Sequence, residues 1–379
     1  MDNLTHTLVG AAVARSGPAR GMPLAVGTLV VAANAPDVDV LSYVHGPYFA
    51  LEFRRGITHG WPALAALTVV VAGGAMAWDR WVRARRDPES ARARWIPLLL
   101  LAGVGVLSHP LLDWMNSYGM RWGMPFADAW SYGDTLFIID PWIWLTLGAA
   151  VYLSGSRERT GMLLWAGLAV ATTALVLAGP VPWPTRLIWC AGVVAAGVAR
   201  ARRGRDGATR HTGGLAVRGP AWTLAAVALY VGIGAVAGQA AESQVRAEAA
   251  SLGVEVRDLM VAPIPGVPGV SEVEVRTDAG YVPGSHSWWV SDRVVLHPDR
   301  LVPTRSVAGS PGQEPPADVL EAATRDPDVR SYLVWARYPF FVAEPQADAW
   351  LVRVGDARYD ARGGGSLSGV ETLVETGSP

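Results

Sequence analysis

Seven apolar runs, each close to the roughly 20 residues a helix needs to cross a bilayer, constrain this chain more than any motif in it. They lie at 22–41, 61–78, 96–112, 136–154, 161–179, 184–199 and 220–238, and a shorter run covers 4–14. In lipid such runs satisfy their backbone polar groups only as helices. Composition agrees: 51% of the 379 residues are hydrophobic and 17% charged, against about a quarter charged in soluble domains. The expected fold class is therefore mainly α, a polytopic membrane helix bundle of 7–8 spans. A net charge of -1 offers no electrostatic footprint for nucleic acid. The single cysteine, Cys190, falls inside an apolar run and reads as packing. The opening "MDNLTHTLVGAAVARSGPAR" has its acid first and its arginines late, the reverse of a cleavable signal.

Arginine supplies all the basic residues, and its distribution sets an orientation. Arg15 and Arg20, the loop "DRWVRARRDPESARARW", "SGSRERTG" and "RARRGRDGATRHTGGLAVR" fall on one side of seven alternating spans. The opposite loops carry only Arg54 and Arg55, then Arg121, then Arg186. The rich loops are expected in the cytoplasm, with 42–60, 113–135 and everything after about 239 on the non-cytoplasmic side. If 4–14 also spans, the N-terminus lies outside and the spans number eight. Most of the 17 tryptophans suit an interfacial belt.

Past 239 the pattern changes to alternating apolar residues broken by Pro and Gly. This divides the chain into a helical membrane domain, 1–239, and a mainly β extramembrane domain, 240–379, with a loose C-terminal tail. One helix is expected near 316–325, whereas "RSYLVWARYPFFVAEP" and "DAWLVRVGDARYD" read as strands.

Ionisable residues are costly within a membrane, which makes those at the span ends candidates for function. The first span ends in "VAANAPDVDVLSY", with Asp37 and Asp39. The second is entered through "FRRGITHGW", with Arg54, Arg55 and His59. The third leaves through "SHPLLDWMNSYG", with His109, Asp113, Asn116 and Tyr118. Imidazole and carboxylate are ligands for zinc and related divalent ions. His109 and Asp113, four apart, project from one helix face. From an extended or broken helix end Asp37 and Asp39 could both face one cavity, or one of them could hold a ligand histidine from behind. His6 is a further ligand candidate. Arg54 and Arg55 suit an anionic substrate. Each feature alone has a plain structural reading: a helix-end ion pair, a Pro-Asp turn, headgroup anchors. His45, His211, His286 and His297 read as surface residues.

Together, "MDNLTHTLVG", "NAPDVDVL", "RRGITHG", "SHPLLDWMNSYG" and "FIIDPW" resemble the YdjM/YbcI-type family of bacterial inner-membrane proteins, described as metal-dependent hydrolases. The later "APIPGVPGVSEVEVRTDAGY", "VRSYLVWARYPFFV" and "GDARYD" resemble that family's extramembrane portion. A more distant likeness is to zinc-dependent phospholipase C and the P1-type nucleases, whose ligands run Asp, His, then His-x-x-x-Asp. Asp37 or Asp39, His59, and His109 with Asp113 follow that order, and His6 matches an early histidine. No later His and His-x-x-x-Glu set follows Asp113, which favours one or two metal ions over a trinuclear cluster.

The expectation is a hydrolase of the inner membrane using a divalent metal, most simply zinc, held by His6, Asp37, Asp39, His59, His109 and Asp113. Asp39, Arg54 and Arg55 would serve catalysis, and Asn116, Tyr118 and Arg55 would contact substrate. The position favours an ester or phosphoester of a lipid or lipid-linked molecule. Two other classes fit the same residues. One is a transporter or ion pathway using the Asp/His cluster. The other is a structural or sensory membrane protein with a structural metal.

Overall fold

The computed structural model describes residues 1–155, 158–205, 215–310, 312–360 and 369–375. The chain divides into two compact units. The first comprises Met1–Val38, Ile57–Val236 and Pro263–Pro268; the second comprises Asp39–Gly56, Ala237–Ala262 and Gly269–Pro379.

Helices α1 (Asn3–Ala14) and α2 (Ala25–Asn34) are followed by an eleven-residue 3-10 helix, Ala35–His45. Then come α3 (Pro47–Phe53), a 3-10 turn Ile57–His59, and α4 (Trp61–Trp78), which continues through a π turn into α5 (Ala84–Arg86). Helices α6 (Trp95–Trp114), α7 (Pro141–Ser154), α8 (Arg159–Ala178), α9 (Trp183–Arg205) and α10 (Leu215–Ser251) complete the helical run. Among the described residues, five helices are long and apolar enough to cross a membrane: Ala25–His45, Trp61–Arg86, Trp95–Trp114, Arg159–Ala178 and Gly219–Ser251.

The expected 7–8 spans are thus not all met. The 4–14 run is a twelve-residue helix, too short to cross. The 136–154 run starts only at Pro141, because Asp140 caps α7 by accepting from the backbone N–H groups of Trp142 and Ile143. The 184–199 run is helical, but Arg186 and Arg200 shorten its uncharged stretch. The boundary expected at 239/240 falls inside α10, which carries on to Ser251.

The helices of the first unit meet around three apolar clusters, one centred on Leu8, Ile143, Trp144 and Leu147, one on Ala32, Leu64, Leu98 and Val106, and one on Leu29 and Leu101. Cys190 packs against the first of these, as expected. Gly105 permits the close approach of α6 to α2: a Cβ there would stand 2.5 Å from the Ala32 Cβ.

The second unit holds two sheets. In the first, β1 (Asp258–Pro263), β2 (Val270–Arg276), β3 (Gly280–Ser287) and β4 (Val294–Leu296) lie in that order, with β5 (Val302–Pro303) also paired to β3. In the second, β6 (Arg305–Val307) runs parallel to β7 (Pro339–Pro345), and β8 (Ala349–Asp356) and β9 (Gly369–Glu375) follow antiparallel. Helix α11 (Ala317–Arg325) matches its expectation. The stretch 330–335 does not: it belongs to α12 (Pro327–Trp335). Asp326 caps α12 and Pro327 occupies its first turn, so Val329, Tyr332 and Trp335, β-formers in isolation, recur at helical spacing and are fully buried. A short α13 (Ala357–Asp360) follows β8. His286 is also corrected: it is 1% exposed, with Nε2 3.2 Å from the Gln244 Oε1. The segment 361–368, the tail expected to be loose (376–379) and His211 lie outside the described residues.

Candidate metal centre

Four donor-bearing side chains from three sequence-distant segments converge in the first unit: Asp37, His59, His109 and Asp113. All four are buried, and one ligand atom from each lies within 4.8 Å of the others. The α6 periodicity supplies two of them. His109 and Asp113 stand one turn apart on its buried face, with Pro110 inside the helix. The 3-10 helix after α2 supplies Asp37, and the 3-10 turn before α4 supplies His59. Gly60, next to His59, lets the segment after α6 close in, since a Cβ there would stand 2.0 Å from the Met124 carbonyl oxygen.

The hydrogen bonds around the cluster orient its donors. His109 Nδ1 donates to the Ala33 carbonyl at 2.7 Å, because a carbonyl can only accept. In a neutral ring this leaves Nε2 as the lone-pair nitrogen, turned into the cluster. His59 Nδ1 lies 2.9 Å from the Thr58 Oγ1, so the same division of roles is open to it. Asn3 Nδ2 donates to the Asp37 Oδ2 at 2.8 Å and fixes that carboxylate from α1.

The spacing fits a metal. Bonds of about 2.0–2.1 Å in a tetrahedral shell put neighbouring ligand atoms about 3.3 Å apart. His59 Nε2 lies 3.1 Å from His109 Nε2 and 3.4 Å from Asp113 Oδ2. His109 Nε2 lies 3.5 Å from Asp113 Oδ2 and 3.7 Å from Asp37 Oδ1. Two carboxylates and two lone-pair nitrogens buried at these distances repel one another unless a cation or shared protons intervene.

Of the other sequence candidates, His6 comes nearest. It is fully buried, its ring stacks on His109 at 3.8 Å between centroids, and its Nε2 lies 3.2 Å from the Asp113 Oδ1. It therefore addresses the carboxylate oxygen opposite the one facing His59 and His109, and stands outside the four-donor group. The Met1 amino group also pairs with Asp113 Oδ1.

Asp39 is not in the four-donor group. A 3-10 helix has three residues per turn, so positions two apart diverge by about 240° rather than facing one cavity. Asp39 instead accepts from the Arg55 backbone N–H at 3.0 Å and from the Arg54 Nε at 3.4 Å. Arg55 is 4% exposed and takes a left-handed backbone, φ 53, which is uncommon for a non-glycine residue. Asn116 is buried at the end of α6, where its Oδ1 accepts from the Tyr118 N–H in a local turn. Tyr118 is half-buried and meets Trp130 edge-on.

Sequence reasoning missed Asn3 as the residue that holds Asp37. Its signal was present, since it sits one turn before His6 on α1, but an amide carries no charge cost to flag it. The tie from α7 to α1 was also missed: Trp144 Nε1 donates to Asp2, the residue that caps α1.

Residues 1–183 match the family described as YdjM inner membrane protein, which bears out the resemblance seen in the motifs over that part of the chain. The match takes in α1 to α8 and all four of the clustered donors. A curated relative, an uncharacterized protein YfhP of Bacillus subtilis (strain 168), is 26% identical over 177 residues. That alignment covers 44% of this chain and 50% of the relative, so the chain spans about half the length of the relative it matches. No solved structure matches.

Proposed function

We propose that the protein is a membrane-bound, metal-dependent hydrolase acting on an ester or phosphoester of a lipid or lipid-linked molecule. The observation that carries this reading is the set of four buried donors, His59, His109, Asp113 and Asp37, at the mutual distances of a coordination shell. Imidazole with carboxylate suits zinc and is compatible with other divalent ions. When bound, such an ion supplies Lewis acidity towards a phosphoryl or carbonyl oxygen and acidifies water towards neutral pH.

The chain's own residues take the remaining roles. The Ala33 carbonyl holds the His109 ring, and Asn3 holds Asp37, so the donors keep their orientation through turnover. His6, against the Asp113 Oδ1, is placed to exchange a proton with that carboxylate or to serve as a fifth ligand. Arg54 and Arg55, with Asp39 as their carboxylate partner, are proposed on their chemistry as the groups that receive an anionic substrate. Asn116 and Tyr118, just beyond Asp113, are proposed as substrate contacts. Following the arginine asymmetry, the reading places the site and the C-terminal domain on the non-cytoplasmic side of the inner membrane.

A second reading has a specific observation behind it. Four protein donors would close a tetrahedral shell, and closed zinc shells are structural. Hydrolysis assays decide between the two. The purified protein in detergent is expected to cleave phospholipid esters or phosphoesters, to lose activity with a chelator and to regain it with Zn²⁺ or Mn²⁺. Activity that survives complete metal removal would sink the hydrolase reading. Metal retention with no turnover of any lipid ester would favour the structural one.

A further inference from the structure

One loop beside the metal donors is fixed at its base and middle and presents an apolar tip. Met120 and Ser131 exchange two backbone hydrogen bonds of 2.9 Å each in an isolated β-bridge, which closes the segment 120–131 at its ends as in an Ω-loop. The base is tied to α6: Trp114 Nε1 donates to the Ser131 Oγ at 2.8 Å. The middle is tied to α4: Trp122 stacks on Trp61 with centroids 5.3 Å apart, and the Met124 carbonyl fills the space that a Cβ at Gly60 would need. Within the loop, the Phe126 and Ala127 N–H groups both donate to the Gly123 carbonyl. Its only two ionisable side chains, Arg121 and Asp128, pair with each other at 2.7 Å. Arg121 is buried, and its guanidinium also covers the Trp130 ring. The tip is Pro125-Phe126-Ala127, three exposed residues, and Phe126 is 86% exposed.

The loop lies at the level of a membrane surface. Helices α4 and α6 both belong to segments long and apolar enough to cross a bilayer, and they share the apolar cluster of Leu64, Leu98 and Val106. The short link 87–94 joins these segments, so they run antiparallel. Trp61 opens α4 and Trp114 closes α6, which puts both at the same end of the pair. Tryptophans at the ends of spans sit in the interfacial belt. The loop holds on to both of them. Ile57 and Leu111 are exposed near the same end and add to its apolar surface. A phenylalanine exposed on an uncharged tip at that level meets the boundary between headgroups and acyl chains, where its transfer out of water is favourable.

We propose that the 120–131 loop docks on the lipid bilayer, with Phe126 seated among the upper parts of the acyl chains. The leaflet concerned is the one at the end of α4 and α6 that carries the clustered donors. His59 lies two residues before Trp61, and Asp113 one before Trp114. Docking therefore sets the lipid headgroups at the level of these donors. It does not depend on the hydrolase reading.

The test uses the full chain in nanodiscs of phosphatidylcholine and phosphatidylglycerol, with Phe126→Cys on a Cys190→Ala background labelled by the environment-sensitive fluorophore NBD. Phe126 is exposed, so the label is accommodated without disturbing the packed base of the loop. Emission is expected to shift to the blue. It should be lost most to lipids carrying a nitroxide high on the acyl chain and less to those carrying it near the terminal methyl, as for a group about 5–10 Å into the headgroup–acyl boundary. Glu89→Cys on the same background, labelled in the exposed link before α6, should emit as in water and stay unquenched. Emission from position 126 as in water, with no quenching at any nitroxide depth, would overturn the docking. A blue shift without quenching would set Phe126 against protein, a second copy or another chain, and would overturn it as well. Quenching at position 89 equal to that at 126 would show that the label and not the loop seeks the bilayer, and the assignment would fall.

Discussion

At the scale of single residues, two buried carboxylates show how environment decides role. Asp113 meets three imidazoles and an amino group, so it is built to share a cation. Glu274, on β2 in the second unit, is 5% exposed and its Oε1 has no hydrogen-bond partner among the described residues. Burial, with the nearby Asp356 charge adding to it, pushes its carboxyl up to about 8. Asp356 goes the other way: burial opposes its ionisation, but the Arg358 guanidinium and backbone N–H donors hold it below the usual carboxylate range. The raised Glu274 value carries a stability consequence. Between the ordinary 4.5 and about 8, the unfolded carboxyl is ionised while the folded one keeps its proton. Stability of the β unit should therefore decline as pH rises across that window and level off above it. Hydrogen exchange at β2 and β3 in the full chain, corrected for intrinsic rates, should show falling protection from pH 5.5 to 8.5. In Glu274→Gln the fall should be much reduced; an equal fall in both proteins would contradict the assignment.

At the scale of elements, the site depends on an uncommonly long 3-10 helix. Its eleven residues turn Asp37 and Asp39 to different partners, where an extended end would have aimed them together. The sequence shows the Pro-Asp breaker but not which period follows it, and so Asp39 reads as a ligand from sequence and as an arginine partner in the fold. The pair on α6 was legible because a helix of known register makes residues four apart neighbours. Helix α12 was misread for the opposite reason: its Val, Tyr and Trp content argues for strand, and only Asp326-Pro327 announces a helix start. The close approach of α2 and α6 gives a prediction at this scale. Gly105→Leu must push its side chain against Ala32 and the Leu29 carbonyl. It should cost about 1–3 kcal/mol of stability by overpacking. It should also weaken metal binding, because the Ala33 carbonyl that orients His109 moves with α2. Gly74→Ala, where a Cβ meets nothing within 4 Å, is the matched control and should leave both properties unchanged or slightly improved. If Gly105→Leu retains wild-type metal affinity, the packing of α2 on α6 does not set the site.

At the scale of the whole molecule, a unit of apolar helices carries the four clustered donors, and the second unit holds the two sheets. The membrane character was plain from composition and run length. The number of spans was not, because apolar length does not report where a cap such as Asp140 starts a helix or where arginines such as Arg186 and Arg200 shorten one. The placing of the motifs at the ends of three apolar spans on one face pointed to convergence of His59, His109, Asp113 and Asp37, and these four are brought together. The spacing of Asn3 from His6 was visible in the sequence, but its partner, Asp37, was not. The central claim, that the four buried donors form a metal site, is tested most directly by elemental analysis of the purified full-length protein. The account predicts about one divalent ion per chain in the wild type, since four donors make one shell, and its loss in the His109→Ala and Asp113→Ala variants. A wild-type protein without bound metal after growth in zinc-supplemented medium, or folded variants that keep the full complement, would contradict it.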